Sequence, residues 1–412
     1  MVSKFFLLII ILGIPINILA NQSYDSIWNI GDWLISYAGG FVRRGLPGSV
    51  LHMLASTWQL NPILLISMLS VGSYVVLLAL VWWFCRNKFD ASILLSPIFL
   101  LAPVIGGYLL RKDVFLVALY GLSLLTLQSY QRVSRARHVF LVPLNLLSML
   151  AIFSHESYGF WGLPSLVLLI AWIDSRSSCF DWRLLVRSSL YTIPSILAFL
   201  LCLMMKGSAA HALLIHQSWQ DLSALLPSTS ALQAASPIGA IGAIKWSTAF
   251  GMSFPRSTLT LFSGIVWVPA AWMLTIYVCF NVFVGAGDQE HLRLRRFLVL
   301  FQFLVISPLF FLGFDFGRWI FLWIGTSVLL YGFLVSNPGC ELFTGADSRF
   351  AAVVKAIAPG IELRGRLKYG LLLIGIPHCC WGVLGFARST SIGYAYTLFR
   401  EYLKIFHVSS LG

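Results

Sequence analysis

Four short stretches gather the residues of this chain that can do chemistry. The first, "SYAGGFVRRGLPG" (36–48), sets Arg43 and Arg44 side by side among glycines and follows Asp25 and Asp32. "LLRKDVF" supplies Arg111, Lys112 and Asp113, "FSHESYGF" supplies His155 and Glu156, and "GFDFGRWIF" supplies Asp315 and Arg318. Arginine donates a planar fork of hydrogen bonds that fits phosphate and keeps its charge when partly dehydrated. A carboxylate or imidazole beside it can orient or deprotonate a hydroxyl. His155 and Glu156 are neighbours, so on one helix they would project about 100° apart and act separately.

Other chemistries find little support. Tyr158 and Gly159 follow Glu156, so no HExxH zinc motif forms, and neither a DxD nor a phosphate-binding P-loop occurs. The pattern therefore argues against a metal–nucleotide-sugar enzyme and an ordinary ATPase, and it calls for no cofactor. Seven scattered cysteines show no CxxC spacing and suggest buried small residues.

These groups sit in a greasy chain. Of 412 residues, 58% are hydrophobic and 10% charged, with a mean hydropathy of +0.85. Soluble domains carry about 25% charge, so the expectation is an all-α, polytopic integral membrane protein folded as a single transmembrane domain over 1–412. A spanning helix needs about 20 apolar residues. About eleven segments qualify: 3–20, 61–84, 91–109, 114–129, 138–153, 160–173, 186–205, 258–283, 297–313, 318–335 and 368–386. The first has Ile18 where signal-peptide cleavage wants a small residue and reads as a retained span.

The formal charge of +13 speaks first about topology. With the N-terminus inside, the loops at 85–90, 131–138, 174–187, 290–297 and 336–367 are cytoplasmic, and each is basic. The outer face then takes 21–60, the turns near 110–113, 154–159 and 314–318, and the longer loop 206–257. That longer loop reads as interfacial helices over the bundle. The cations left on the outer face violate the positive-inside bias, and ionisable groups at membrane depth face a partner or a wet cavity. Pairing of Asp32 with Arg43 or Arg44, Asp113 with Arg111, and Asp315 with Arg318 would neutralise some. An anionic ligand would balance the rest. The glycines of 39–48 suggest a turn that presents the two arginines inward.

About eleven spans, a charged first outer loop, outward arginines and no nucleotide motif resemble Wzy-type polysaccharide polymerases and the wider C-type glycosyltransferase group. "GGFVRRGLPG", "RKD" and "FDFGRW" carry the resemblance. It implies a bacterial inner-membrane, metal-independent enzyme working on a polyprenyl-pyrophosphate-linked glycan, with other polysaccharide-assembly proteins as partners. By that resemblance Asp25 or Asp32 would be the outer-loop carboxylate. Asp32, His155 and Glu156 are the catalytic candidates, and Arg43, Arg44, Arg111, Lys112 and Arg318 the pyrophosphate-binding ones. A transporter or flippase of an anionic lipid or solute, and a non-catalytic assembly factor, stay open as alternatives.

Overall fold

A computed structural model describes residues 2–20, 28–133, 137–175, 182–225, 235–253, 292–313 and 315–336, with isolated positions beyond 375. Asp25, Arg256 and the expected spans 258–283 and 368–386 lie outside these residues. Among the described residues the regular structure is entirely helical. The N-terminal third holds α1 (Val2–Ala20), α2 (Asn29–Trp33), α3 (Gly45–Trp58), α4 (Pro62–Cys85), α5 (Ala91–Leu94) and α6 (Ala102–Ile105). Next come α7 (Lys112–Arg132), α8 (Leu141–Ser154, entered through a 3-10 turn at Arg137–Phe140), α9 (Ser157–Ser175), α10 (Trp182–Tyr191) and α11 (Ile193–Met204). Then follow α12 (Ala209–Gln220), α13 (Gly239–Gly242), α14 (Leu292–Leu312) and α15 (Phe316–Val335).

The chain is a polytopic all-α membrane protein. Among the described residues, seven helices are long and apolar enough to cross a bilayer, or eight if α10 and α11 count as one bent span. Their outward faces are themselves apolar: Leu8 and Ile11 on α1, Met68 and Trp82 on α4, and Val142 and Leu146 on α8 are all exposed. Such faces suit hydrocarbon rather than water.

Two expected spans differ. Segment 91–109 is not one helix but two four-residue helices joined by turns. Pro97 and Pro103 cannot donate to a helical ladder, and Gly107 turns the chain at φ 68°. The broken backbone is sheltered, since Phe99, Leu100, Leu101 and Val104 are all buried. Irregular backbone is tolerated at membrane depth only under such cover. Segment 186–205 is also no straight span: α10 and α11 meet at 73° around Thr192. Pro194 breaks the ladder there, and Asn145 on α8 donates through Nδ2 to the Tyr191 carbonyl at the bend (2.9 Å).

The contacts divide the chain into two compact units that interleave in sequence. One comprises Met1–Asn17, Val81–Leu109 and Ala249–Gly412; the other Ile18–Leu80 and Leu110–Thr248. In the first, α14 and α15 pair, with Trp323 Nε1 donating to the Val299 carbonyl (2.8 Å) and Phe303 edge-on to Trp323. Gly332 on α15 lets α4 approach, because a Cβ there would lie 2.6 Å from Cys85 Sγ.

In the second unit α7, α8 and α9 run alternately along one another. Lys112 at the start of α7 reaches Ser154 at the end of α8, while Tyr130 near the end of α7 donates to Asp174 near the end of α9 (2.9 Å). The α11 helix lies alongside α8 in the same direction, joined by Ser195 to Asn145 and Cys202 to Ile152. Short helix α13 packs with α2 and with α12. Trp219 of α12 donates to the Leu34 carbonyl in the first loop (2.7 Å).

That first loop folds back on α3. Tyr37 N–H donates to Ser49 Oγ (2.9 Å), and Gly48 lies so close that a Cβ would fall 2.0 Å from the Ile35 carbonyl oxygen. Gly48→Ala is expected to cost about 1–3 kcal/mol through forced backbone displacement. Thermal unfolding of the detergent-solubilised protein reads this directly; an unchanged midpoint would mean the loop does not pack on α3.

Candidate functional site

The site forms at one end of the second unit, where α3 and α7 begin, α8 and α11 finish, and α9 starts. The link from α8 to α9 is only His155 and Glu156. His155 leaves the helix in extended conformation, and its Nδ1 accepts the Ser157 N–H (3.2 Å), capping α9 with an imidazole. An accepting Nδ1 puts the ring proton of neutral His155 on Nε2. Glu156 then stands at the N-terminus of α9, where the helix dipole favours an anion.

Glu156 is buried and gathers both arginines. Arg44 grips it bidentately, Nε to Oε2 at 2.7 Å and Nη2 to Oε1 at 2.6 Å. The third nitrogen of Arg44, Nη1, reaches Asp32 Oδ1 at 3.4 Å. Every nitrogen of that guanidinium is thus committed. The same residue caps α3 at φ 68°, a left-handed conformation that non-glycine residues seldom adopt. Its three-point anchorage holds it there.

Arg43 is placed differently. Its N–H donates to the Met205 carbonyl at the end of α11 (3.0 Å), and Nη1 lies 3.2 Å from Glu156 Oε1. Its Nε and Nη2 meet no hydrogen-bond partner among the described residues, and the side chain is 21% exposed. Tyr37 and Phe41 stack nearby with centroids 5.2 Å apart, and Phe41 meets Phe153 edge-on.

The remaining predicted residues take separate positions. Lys112 is fully buried, and its Nζ donates to the carbonyls of Ser154 (3.0 Å) and Arg44 (3.3 Å) beneath the Trp33 ring. It ties the end of α8 to the cap of α3. Arg111 Nε donates to Asn29 Oδ1 (2.6 Å), and buried Asp113 lies in the first turn of α7. Arg318 belongs to the other unit, where it pairs with Asp315. The expected pairing of Asp32 with one of the loop arginines is found with Arg44, and that of Asp315 with Arg318 is found as well.

The sequence held no sign of Lys112 as a carbonyl clamp, of Asn29 as the partner of Arg111, or of His155 as a cap. Each depends on chain segments tens of residues apart or on one backbone angle. Glu156 was visible, but as a candidate base rather than as the anchor of two arginines.

Burial alone would raise the Glu156 pKa, but Arg44, Arg43 and, less strongly, His155 together outweigh it and hold the carboxyl well below the usual range. For Arg43 the largest influence, Glu156, favours the charged form; burial and Arg44 outweigh it and the net shift is downward. Both arginines remain cations at any physiological pH. Among the described residues the cluster brings Arg43, Arg44 and buried Lys112 together with the carboxylates Glu156 and Asp32. Among the described residues no three His, Cys, Asp or Glu side chains group so as to hold a metal ion.

Residues 4–110 match the family model described as "Uncharacterised membrane protein Rv1490". That stretch contains Asp32, Arg43 and Arg44 and stops short of His155 and Glu156. No curated protein and no solved structure matches the chain.

Because its folded pKa is depressed, Glu156 contributes stability that is fully present above the unfolded carboxyl value, about 4.3. That stability is lost as pH falls through the lower folded value. Glu156→Gln is expected to lower stability at neutral pH by about 1.5–3 kcal/mol and to flatten the acid side of the stability curve. Melting of wild type and variant across acidic pH tests both; superimposable curves would refute the ion-pair anchor.

Proposed function

We propose that this cluster recognises the pyrophosphate of a polyprenyl-linked glycan and that the protein transfers its glycosyl group to a sugar hydroxyl, extending a surface polysaccharide. The observation that carries the reading is the half-committed guanidinium of Arg43. One nitrogen is oriented by Glu156, while Nε and Nη2 remain for a ligand. A pre-oriented fork of this kind suits phosphate. The extra cation in the cluster would stabilise the charge that grows on the departing pyrophosphate.

In such a transfer the acceptor oxygen bonds to the anomeric carbon as the bond from that carbon to the pyrophosphate oxygen breaks. The hydroxyl proton passes to a base. Of the two carboxylates in the first loop, Asp25 and Asp32, the role is assigned to Asp32, which is buried in α2 and joined to Arg44. Glu156 is held ionised by both arginines, so its part is to aim Arg43 and Arg44 rather than to carry a proton. His155, with Nδ1 accepting from Ser157, suits donating a hydrogen bond through Nε2 to a sugar oxygen. Arg111 and Lys112 support the cluster electrostatically. Arg318 has a phosphate role only if a second anion subsite lies beside it.

The cluster is assigned to the extracytoplasmic side of a bacterial inner membrane, with the N-terminus in the cytoplasm. Supporting this, Arg132, Arg137 and Arg183 mark the opposite end of the second unit, the end that the positive-inside bias assigns to the cytoplasm.

The two arginines should respond differently to mutation. Arg43→Lys keeps a point charge and loses the fork; it is expected to fold normally and lower polymer formation at least about tenfold. Arg44→Lys breaks a bidentate pair and should lower stability as well. A strain lacking the chain and expressing each variant is scored for surface glycan length. Glycans capped at one repeat support transfer, whereas complete loss of surface glycan would point to transport. Unaltered length with Arg43→Ala would overturn the assignment.

A further inference from the structure

At the opposite end of the second unit lies a basic, aromatic-lined patch that the glycosyl-transfer reading does not use. Asp174, nearly buried, accepts from Tyr130 Oη (2.9 Å) and pairs with Arg137 (3.1 Å). Arg137 lies over the Tyr130 ring at 5.3 Å. The His138 ring bridges Tyr130 and Tyr191, with centroids 6.0 and 5.4 Å away. From Tyr191 the cluster continues to Arg187, whose Nε donates to the phenol oxygen. Its Nη1 and Nη2 have no partner among the described residues.

The helix that carries Arg187 has an unusual design. α10 spans ten residues, about 15 Å, too short to cross a bilayer. It meets α11 at 73°, so the two do not form one straight span. Trp182, Val186 and Leu190 recur every four residues and are 67%, 47% and 57% exposed. Arg183 and Arg187 form the adjoining stripe at the same spacing, while Ser188 is buried. An exposed apolar stripe flanked by arginines is the pattern of a helix lying in the headgroup layer.

We infer that α10, with His138, forms a binding site for the phosphate of an anionic phospholipid. Trp182, Val186 and Leu190 enter the acyl boundary, and the guanidiniums of Arg183 and Arg187 meet the headgroup. Among the described residues the carboxylate nearest the patch is Asp174, which is engaged directly by Arg137 and Tyr130, while Arg187 makes its one hydrogen bond to the neutral Tyr191 phenol. A lipid is favoured over a soluble phosphate because the apolar stripe and the cations share one short helix. The site does not rest on the glycosyl-transfer reading and would stand if that reading failed.

The test uses the full chain in a neutral detergent, titrated with phosphatidylglycerol or phosphatidylcholine and followed by native mass spectrometry. Phosphatidylglycerol adducts are expected in clear excess over phosphatidylcholine, and inorganic phosphate should not displace them. Arg187→Gln should weaken phosphatidylglycerol binding about fivefold and Arg183→Gln/Arg187→Gln considerably more. The paired lysine variants keep the charge, should retain most binding, and control for folding through their melting temperature. If the double glutamine variant misfolds, exposed Trp182→Ser supplies the decision, since it removes acyl contact and no charge. Equal binding of both lipids, displacement by phosphate, or unchanged affinity in Arg187→Gln and Trp182→Ser would each overturn the site.

Discussion

A single buried carboxylate, Glu156, organises one end of the second unit. Removing a charge from water is costly and is offset only by close, well-directed partners. Glu156 has two arginines, and they reach it from the first loop across more than a hundred residues of chain. Meeting that electrostatic demand fixes several things together: the backbone of Arg44 at positive φ, the start of α3, and the orientation of Arg43. Asymmetry between the arginines follows. Arg44 has each of its guanidinium nitrogens engaged, whereas Arg43 meets Glu156 through Nη1 alone and its Nε and Nη2 have no partner among the described residues.

The surrounding architecture answers a second demand, that backbone polar groups away from water find partners. Where helices end or break, long side chains do this work. Trp33 and Trp219 donate to loop carbonyls, Asn145 to the carbonyl at the α10–α11 bend, and Lys112 to the ends of two elements at once. These contacts stiffen a region that would otherwise be a flexible loop over a bundle. A rigid frame matters for any role that holds an anion, because a guanidinium fork gains specificity only when its direction is set before the ligand arrives.

Charge is divided between the two ends of that unit by different physics. At one end the cations are partly buried and matched against Glu156 and Asp32. At the other, Arg183 and Arg187 ride an exposed amphipathic helix, and among the described residues the nearby carboxylate, Asp174, is engaged by Arg137 and Tyr130. The first group is accounted for by ion pairing across segments.

The amino-acid sequence by itself determined the class of the protein and most of its spans, because a length of apolar chain in a bilayer has one economical conformation. Segments 3–20, 61–84 and 318–335 are helices close to their expected bounds for that reason. It also singled out Arg43, Arg44 and Glu156, since charge within a greasy chain is conspicuous. Hydropathy failed at 91–109, where proline and glycine break the helix and neighbouring helices shelter the result. It failed again at 186–205, where Pro194 and Asn145 make a bend. Only the tertiary structure decided that Glu156 is an anchor, that Lys112 clamps carbonyls, and that Arg43 rather than Arg44 has guanidinium nitrogens without a partner among the described residues. Those outcomes depend on distances between groups remote in sequence, and no local pattern encodes such distances.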